Sequence, residues 1–488
     1  MWTLGQAVAS AGGRLEGADV AFDGVTTDSR QDCEGKLFVA LSGERFDGHD
    51  YVAKALERGA VAAMVSRPVA AALPQWMVDD PLLGLGRLGA AWRAGFTGRV
   101  IAITGSNGKT TCKEMTAAIC RQVGSTRATA GNLNNAIGMP LTLLAARDED
   151  FLILEMGANH HGEIGYLSGI AAPDVAVITN AGRAHLEGFG SLEGVAHAKG
   201  EIASGVRADG TFAFMADVPW TPLWRELAGG RRHIAFGTGP GAELRANPDS
   251  IRTRWDEAGF RTLFEACLPG WEEPCEIGLG LAGRHNVNNA LAAMALALAL
   301  DVPVDAIAHG LALMQPVARR LQPRLTAEGV RLIDDSYNAN PDSLAAAVDV
   351  LVDLPGRHLL VLGDFGELGP DSAALHADMG RRARAAGVDL LFAVGDLAGR
   401  AAAAFGEGLV AEAAPTGAAF ASQAELLQAL RARLRPDDVV LVKGSRLAGM
   451  DRIADALCAG PKMDGPRMDD AAMDDSETDG PAMDLEAN

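Results

Sequence analysis

The residue types that could do chemistry are densest in a glycine-rich turn, G-S-N-G at residues 105–108. An apolar, β-branched run precedes this turn, and a helical pattern begins directly after it at Lys109. Because free N–H groups and the positive end of the helix dipole face such a turn, it predicts a phosphate-binding site. Lys109 would reach the outer phosphates of a nucleoside triphosphate, and the Thr110 hydroxyl is placed to ligate Mg²⁺. The predicted nucleotide-binding residues are Thr104, Gly105, Ser106, Asn107, Gly108, Lys109, Thr110 and Thr111.

The strict pattern G-x-x-x-x-G-K-[ST] is not met, because Ile103 stands at the position of its first glycine. An ordinary turn between a strand and a helix is the alternative on these residues alone. Two other apolar runs, residues 151–154 and 175–179, lead to Glu155 and to His185. Ligands gather at the carboxyl ends of parallel strands, so both side chains would lie near the phosphates. Either one alone is usually structural; together they favour metal or phosphate chemistry.

Two further groups of polar residues could bind a nucleotide or a diphosphate. Asn286 and Asn289 are three residues apart at the start of an apolar helical pattern, so they share a helix face and could read a purine edge. Nearer the N-terminus, Ser29, Arg30 and Ser42 lie in polar loops and could hold a diphosphate. The alternatives are helix capping by one asparagine and a surface arginine beside a turn.

Composition limits the class of protein. The chain has 488 residues, which is too long for one core, and about three domains are expected. Its net charge of −20 argues against nucleic acid or an anionic membrane as partner. The six cysteines have no metal-ligand spacing and indicate free thiols in a reducing compartment. No leader and no apolar run that could span a bilayer is found, so we expect a cytoplasmic protein without membrane insertion.

Alternating strand and helix patterns predict an α/β protein of three domains that positions these residues. Residues 1–80 form the first domain, residues 81–315 the second, with the glycine-rich turn, and residues 316–460 a doubly wound third domain. Residues 240–280 alternate like a small antiparallel insert. Residues 461–488 are an acidic, low-complexity tail that we expect to be disordered.

Local patterns within these domains can be tested individually. The helix that begins at Lys109 is predicted to carry Met115, Ile119 and Val123 inward. In the third domain, strands are predicted at residues 358–363, 390–395 and 439–443.

Five stretches of this sequence resemble the Mur ligases of peptidoglycan synthesis, over the whole chain up to about residue 460. They are T-G-S-N-G-K-T-T (104–111), N-A-G-x-A-H-L-E (180–187), A-K-G-E-I (198–202), G-R-H-N-x-x-N-A (283–290) and D-S-Y-N-A-N-P-D-S (335–343). Four stretches indicate one particular branch of the family: G-N-L-N-N-x-I-G-x-P-L-T-L-L (131–144), M-G-A-N-H-x-G-E-I (156–164), H-L-E-G-F-G-S (185–191) and, again, D-S-Y-N-A-N-P-D-S (335–343). Two positions depart from its pattern: His161 replaces a usual proline, and Arg319 replaces the glycine that usually precedes Arg320.

The resemblance implies a UDP-binding α/β N-domain, a P-loop central domain with a parallel sheet and a small β insert, and a Rossmann-like C-domain. It implies that ATP, with two Mg²⁺ ions, phosphorylates the terminal carboxylate of UDP-N-acetylmuramoyl-tripeptide. The amine of D-alanyl-D-alanine would then attack the acyl phosphate, and ADP, phosphate and a pentapeptide precursor would leave. The enzyme is expected to be a monomer whose domains close over the site.

Site residues follow from the same resemblance. Those assigned to catalysis are Lys109, Lys199 and His185, and those assigned to metal are Thr110, Glu155, His185 and Lys199. Further nucleotide ligands would be Asn286, Asn289, Arg320 and Asp335. Substrate ligands would be Ser29, Arg30, Ser42, Asn134, Asn135, Tyr337, Asn338, Asn340, Lys443 and Arg446. Lys199 would be carbamoylated, which turns a cation into an anionic oxygen ligand suited to Mg²⁺; a surface lysine paired with a glutamate is the alternative.

Other functions remain as alternatives on the sequence. A muramyl ligase that adds the third residue would be expected to carry a different signature at residues 337–340. A folylpolyglutamate synthase lacks the UDP-binding first domain to which residues 27–30 point. A regulatory P-loop NTPase or kinase would not need two further α/β domains whose strands end in polar residues.

Overall fold

The computed structural model describes residues 2–43, 46–183, 186–257, 259–407 and 416–459. Three α/β domains follow one another along the chain; each is built around one sheet and is called a layer below. Each layer is a mainly parallel sheet, as the alternating pattern predicts. His185 and the tail, residues 461–488, lie outside the described residues. None of the helices in the described part of the chain is long and apolar enough to cross a membrane.

The first layer is a five-stranded sheet in the order β2-β9-β8-β5-β4, in which only β2 runs antiparallel to its neighbour. Its elements are β1 (Trp2–Thr3), α1 (Leu4–Ala11), β2 (Arg14–Glu16), β3 (Ala21–Phe22), β4 (Val25–Thr26), β5 (Leu37–Val39), β6 (Ser42–Gly43), β7 (Phe46–Asp47), a 3₁₀ turn (Gly48–Tyr51), α2 (Val52–Glu57), β8 (Ala62–Val65) and β9 (Gln75–Met77).

The first layer is joined to the second by α3 (Pro81–Gly95). This helix begins at Asp80, whose carboxylate accepts the N–H groups of Leu82 and Leu83, with proline at its first position. Leu85 and Leu88 of α3 are fully buried in one apolar cluster with residues of the first sheet and with Leu144 of α5 (Gly138–Leu144). The two layers therefore share apolar contacts along α3.

The second layer is a ten-stranded sheet in the order β11-β12-β10-β13-β14-β15-β16-β18-β17, with β19 also paired to β18. Its elements are β10 (Arg99–Thr104), α4 (Lys109–Cys120), β11 (Thr126–Ala128), α5, β12 (Phe151–Glu155), α6 (Glu163–Ala171), β13 (Val175–Ile178), α7 (Leu186–Phe189), α8 (Leu192–Gly200), α9 (Ile202–Gly205), β14 (Thr211–Met215), α10 (Thr221–Ala228), β15 (Arg232–Gly237), β16 (Leu244–Ala246), β17 (Arg252–Asp256), β18 (Gly259–Cys267), β19 (Cys275–Leu279), α11 (Arg284–Ala299) and α12 (Val304–Ala312).

The predicted antiparallel insert is confirmed. Strands β11 to β16 pair in parallel, whereas β16, β17 and β19 all pair antiparallel to β18. The six cysteines are free thiols, as their spacing predicts.

The prediction for the end of the helix after the glycine-rich turn is wrong at one residue. Met115 and Ile119 are fully buried, but α4 ends at Cys120 and Val123 is 43% exposed. The N–H groups of Val123 and Gly124 both donate to the Cys120 carbonyl, so the chain turns there and residue 123 loses the helical register.

The third layer is a six-stranded sheet in the order β20-β21-β25-β22-β23-β24, parallel except for β20. Its elements are β20 (Gln322–Leu325), β21 (Arg331–Asp335), α13 (Pro341–Val352), β22 (Arg357–Gly363), a 3₁₀ turn (Gly369–Asp371), α14 (Ser372–Ala386), β23 (Leu390–Val394), α15 (Asp396–Gly406), β24 (Gly417–Phe420), α16 (Gln423–Arg431), β25 (Asp438–Lys443), a 3₁₀ turn (Arg446–Ala448) and α17 (Asp451–Ala459). The three strands predicted here begin or end within one residue of their predicted limits.

The insert of the second layer packs against the third layer. Phe260, on β18, is buried in one cluster with Ile333 and Leu362 of the third sheet. The ring of Trp255, on β17, contacts that of Phe260 in a tilted arrangement at a centroid distance of 4.7 Å. An apolar contact therefore joins these two layers at a distance along the chain from the glycine-rich turn.

Candidate nucleotide and metal site

The glycine-rich turn between β10 and α4 requires glycine at both of its ends. Gly105 has a φ of 148° and Gly108 a φ of 78°. A Cβ at Gly105 would lie 2.0 Å from the Thr179 hydroxyl, and one at Gly108 would lie 2.2 Å from the Asn289 amide oxygen. Neighbouring chain segments therefore approach the turn so closely that only glycine fits.

The turn is held from the adjacent strand end. The Thr179 hydroxyl donates to the Asn107 carbonyl over 2.6 Å, and the Asn180 side chain both donates to that carbonyl and accepts the Asn107 N–H. The Ser106 hydroxyl and the Gly182 backbone exchange two further hydrogen bonds. Because these contacts fix the turn, its backbone is preorganised to meet an anion.

Lys109 folds back over the turn. Its Nζ donates to the Gly105 carbonyl over 2.7 Å. Burial lowers the pKa of Lys109; the nearby Glu155 carboxylate raises it, and Arg320 lowers it further. A half-buried ammonium among carbonyl oxygens and a second cation is suited to an anionic ligand such as a phosphate.

A chain of hydrogen bonds links the turn to the end of β12. The Thr110 hydroxyl donates to Glu155 Oε2 over 2.9 Å, and Asn134 Nδ2 donates to Glu155 Oε1 over 2.9 Å. Glu155 is 3% exposed, and its N–H donates to the Thr129 hydroxyl. Hydroxyl, carboxylate and amide oxygens are the donors that Mg²⁺ prefers, so this group fits that ion.

The sequence places Thr110 and Glu155 in one site, but it did not reveal that Thr129 and Lys113 hold Glu155 in position. Thr129 holds the Glu155 backbone, and its own carbonyl accepts a hydrogen bond from Lys113 Nζ over 2.6 Å. Lys113 is 2% exposed. Its position four residues after Lys109 on one helix was the available signal, because the two share a face of α4.

Asn134 and Asn135 lie near the end of β12 that carries Glu155. Asn134 contacts Glu155, as above, and the Asn135 side chain accepts the N–H groups of Ile137 and Gly138 at the start of α5. The structure thus brings Asn134 to the predicted metal group rather than to the loops of the first sheet.

Lys199 is buried, so its alternative interpretation as a surface lysine is wrong. It is 1% exposed on α8, and its Nζ lies 3.4 Å from the Ala158 carbonyl and 5.0 Å from the centre of the Phe189 ring. Burial lowers the pKa of Lys199 to about 7, with Lys109 as a second cause. A substantial fraction of its amine is therefore in the neutral, nucleophilic form near pH 7.

The predicted asparagine pair lies against the turn. Asn289 Nδ2 donates to Asn286 Oδ1 over 3.0 Å, and Asn286 Nδ2 donates to the Ala282 carbonyl. Both asparagines are 5% exposed, and Asn289 contacts the Gly108 position of the turn. The two amides share one face of α11, as their spacing predicts.

The third layer reaches the turn through the N-terminus of α13. The Asn340 side chain caps α13 by accepting the Ser343 N–H, and its Nδ2 donates to Asn107 Oδ1 over 2.7 Å. The Asp342 carboxylate accepts the Arg183 N–H over 2.7 Å. Arg183 and Asp342 were not singled out from the sequence, because their contact joins residues far apart along the chain.

Other third-layer residues of the predicted site form a connected group. The Arg320 guanidinium lies 4.3 Å above the Tyr337 ring. Lys443, which is 1% exposed, donates from Nζ to Asp335 Oδ2 over 2.5 Å and to the Asn338 carbonyl over 3.1 Å. Arg446 begins a 3₁₀ turn three residues after Lys443, the last residue of β25.

The predicted residues of the first layer are held by contacts within that layer. Arg30 makes a two-point ion pair with Asp28 and lowers the pKa of that carboxyl, and the neighbouring Ser29 is 6% exposed. The Ser42 hydroxyl donates to the Asp47 carboxylate over 2.8 Å. His185 lies outside the described residues, and in the part of the chain that the structure describes no three His, Cys, Asp or Glu side chains cluster as metal ligands.

Comparison with known proteins covers all three layers. The profile of the Mur ligase family, catalytic domain, matches residues 21–80; that of the Mur ligase middle domain matches 103–297; and that of the Mur ligase, glutamate ligase domain, matches 319–446. The UDP-N-acetylmuramoyl-tripeptide–D-alanyl-D-alanine ligase of Escherichia coli (strain K12) is 44% identical over 458 residues, which is 93% of this chain and 98% of that protein.

Solved structures agree with these matches. A crystal structure of MurF from Acinetobacter baumannii has a TM-score of 0.85 and 36% identity over 94% of this chain and 99% of that one. The crystal structure of MurF ligase from Thermotoga maritima in complex with ADP has a TM-score of 0.78 and 29% identity over 88% of this chain and 96% of that one. Sequence and fold agree along nearly the whole chain, which belongs to the Mur ligase family.

Proposed function

We propose that this chain is an ATP-dependent amide ligase that joins D-alanyl-D-alanine to UDP-N-acetylmuramoyl-tripeptide and yields the pentapeptide precursor of peptidoglycan. The observation that carries the proposal is the contact between the phosphate-binding turn and a carboxylate: Thr110 lies 2.9 Å from Glu155, beside Lys109. The E. coli relative, 44% identical, carries the name of this activity. We propose that the protein acts in the cytoplasm, where the six thiols stay reduced, and acts as a monomer.

The chemistry requires activation of a carboxylate, because a carboxylate is a poor electrophile until phosphorylation makes one oxygen a leaving group. Lys109 and the turn N–H groups would bind and orient the γ-phosphate. Mg²⁺, held by Thr110 and Glu155, would supply charge neutralisation when bound. Asn286 and Asn289 would contact adenine. Closure of the third layer would exclude water from the acyl phosphate.

We propose further that Lys199 carries a carbamate and that its oxygens belong to a second Mg²⁺ site with His185. The neutral amine nitrogen would attack the carbon of CO₂ and lose a proton, giving an anionic carbamate. The burial of Lys199 supports this, because it lowers the pKa of the amine to about 7. The Phe189 ring beside Nζ limits access of water.

A phosphate-release assay tests the proposed function. Phosphate should be released from ATP only when both UDP-N-acetylmuramoyl-tripeptide and D-alanyl-D-alanine are present, since the amine consumes the acyl phosphate. Lys109→Ala should slow turnover by on the order of a hundredfold or more. Lys54→Ala, which removes an exposed lysine of α2, is the matched control and should be unaffected. Phosphate release without either substrate would instead indicate an NTPase switch.

The carbamate has its own test. Lys199→Ala should be nearly inactive, and a short-chain carboxylate such as acetate should restore part of the activity by occupying the vacated ligand position. Removal of bicarbonate should slow the wild type. Full activity of Lys199→Ala without added carboxylate would exclude the carbamate and leave the amide-ligase proposal intact.

A further inference from the structure

The turn that leads into the third layer has a strained backbone on both sides of Arg320. Arg319 has a φ of 61° and Leu321 a φ of 47°, in the left-handed region that residues with a side chain rarely adopt. Such conformations persist only where the surrounding structure holds them. The turn around Arg320 therefore depends on contacts made from outside it.

Arg319 makes contacts of that kind through its side chain. Its guanidinium pairs with Asp451, and Nη2 lies 3.4 Å from Asp455, both on α17. Arg324 bridges Asp455 at 2.7 Å and the fully buried Asp334 at 2.9 Å. The four charged groups around Arg319 thus form a connected network, which holds geometry better than one exposed pair.

The same turn is tied to the nucleotide side of the third layer by its backbone. The Tyr337 N–H donates to the Arg319 carbonyl over 3.1 Å, and the Leu321 N–H donates to Asp335 Oδ1 over 3.1 Å. Between these two bonds, the Arg320 guanidinium lies 4.3 Å above the Tyr337 ring. The direction of the Arg320 side chain is therefore set by the backbone of its two neighbours.

Arg320 lies on the side of the third layer that meets the phosphate-binding turn. Its guanidinium lies over the ring of Tyr337, three residues before Asn340, whose Nδ2 donates to Asn107 of the turn. Besides burial, which is the larger cause, the charge of Arg320 lowers the pKa of Lys109. Two cations that face one small region repel each other and together attract an anion. Their separation depends on how the turn holds Arg320.

We propose that Arg319 is a positioning residue for nucleotide binding, and that its ion pairs to α17 hold the strained turn in the conformation that presents Arg320 to the nucleotide phosphates. The inference rests on the proposed function, because it takes the ligand between Lys109 and Arg320 to be a nucleotide. Arg319 itself touches no reacting group. Its side chain acts on the opposite side of the turn, through α17.

Two substitutions of Arg319 separate positioning from a purely structural role. Arg319→Met removes the ion pairs and keeps the strained φ, whereas Arg319→Gly removes the ion pairs and relieves the strain. Arg319→Met should weaken the binding of ADP and of a non-hydrolysable ATP analogue by on the order of fivefold, measured by calorimetry with Mg²⁺. Arg319→Gly should bind more tightly than Arg319→Met and melt at a higher temperature, because glycine adopts this φ without help from the ion pairs. Arg319→Lys should restore part of the affinity.

The two carboxylates of α17 that pair with Arg319 can be neutralised without changing a residue of the turn. Asp451→Asn combined with Asp455→Asn should weaken nucleotide binding to a similar extent, and the KM for the UDP-tripeptide should change little. Arg382→Met, which breaks the exposed pair with Asp378 on α14, is the matched control and should bind nucleotide like the wild type. Wild-type affinity in Arg319→Met would overturn the inference, whereas a wild type that binds no nucleotide would overturn the proposed function itself.

Discussion

Lys199 is the residue whose chemistry depends most on burial. Its pKa is lowered to about 7 from 10.5 by desolvation first and by Lys109 second. Between these values the unfolded chain binds more protons than the folded chain, so the stability of the wild type rises with pH over that window. At lower pH the folded protein carries the full cost of a buried ammonium.

Lys199→Met should therefore melt at a higher temperature than the wild type in CO₂-free buffer at pH 7, by on the order of a few degrees. This difference should shrink as the pH rises toward 10, because the proton that the amine loses on folding costs less free energy to release as the pH approaches the ordinary pKa of 10.5. Lys54→Met, at an exposed lysine, should show no such pH dependence. A difference that stays constant from pH 7 to pH 10 would show that the buried amine keeps an ordinary pKa.

Residue spacing predicts which side chains stand at strand ends but not what supports them. Thr110 and Glu155 could be placed together from the sequence, because parallel strands end at one edge of a sheet. Lys113 and Thr129 could not, because their contact depends on the packing of α4 against the end of β11. The burial of Lys199 is signalled by Val195 and Ala196 one turn before it and by Ile202 one turn after it, but its contact with the Ala158 carbonyl is a property of the fold.

At the scale of elements, Asn340 has two roles: it caps α13, and it connects the third layer to Asn107 of the phosphate-binding turn. Asn340→Asp should keep the cap, because a carboxylate accepts the Ser343 N–H, but it loses the donor to Asn107. We expect a near-normal melting temperature with slower ligation. Asn340→Ala should lose both contacts, with about 1 kcal/mol of stability from the cap.

A second helix cap, far from the site, serves as a control that separates the loss of stability from the loss of the Asn107 contact. Ser422 caps α16 by accepting the Glu425 N–H, far from the phosphate-binding turn along the chain. Ser422→Ala should lower the melting temperature and leave ligation unchanged. Normal ligation by Asn340→Asp would mean that the bond to Asn107 has no part in the reaction.

Elements bounded by strong turn signals were the most predictable. The third-layer strands lie within a residue of prediction, because continuous apolar runs there end in glycine or polar residues. The end of α4 was not predictable, because the apolar period continues to Val123 after the backbone has already turned. No capping residue marks Cys120 as the last helical residue.

At the scale of the whole molecule, the residues assigned to the UDP moiety and to ATP lie in different layers. Arg30→Ala should raise the KM for the UDP-tripeptide and leave the KM for ATP nearly unchanged, as steady-state kinetics with each substrate varied would measure. Arg14→Ala, at an exposed pair with Glu16 on β2, is the matched control. A rise in the KM for ATP instead would contradict the division of substrates between layers.

The second and third layers meet through contacts of opposite character. Near the phosphate-binding turn the contact is polar, from Asn340 and Asp342; at the β insert it is apolar, around Phe260. A rotation that pivots at Phe260 would break the hydrogen bond from Asn340 to Asn107 and the paired contacts of Arg183 with Asp342, which water replaces at small net cost. Opening of the site by that route should expose little apolar surface, so the heat-capacity change of opening should be close to zero. A plot of the logarithm of the opening equilibrium constant against inverse temperature should therefore be nearly straight.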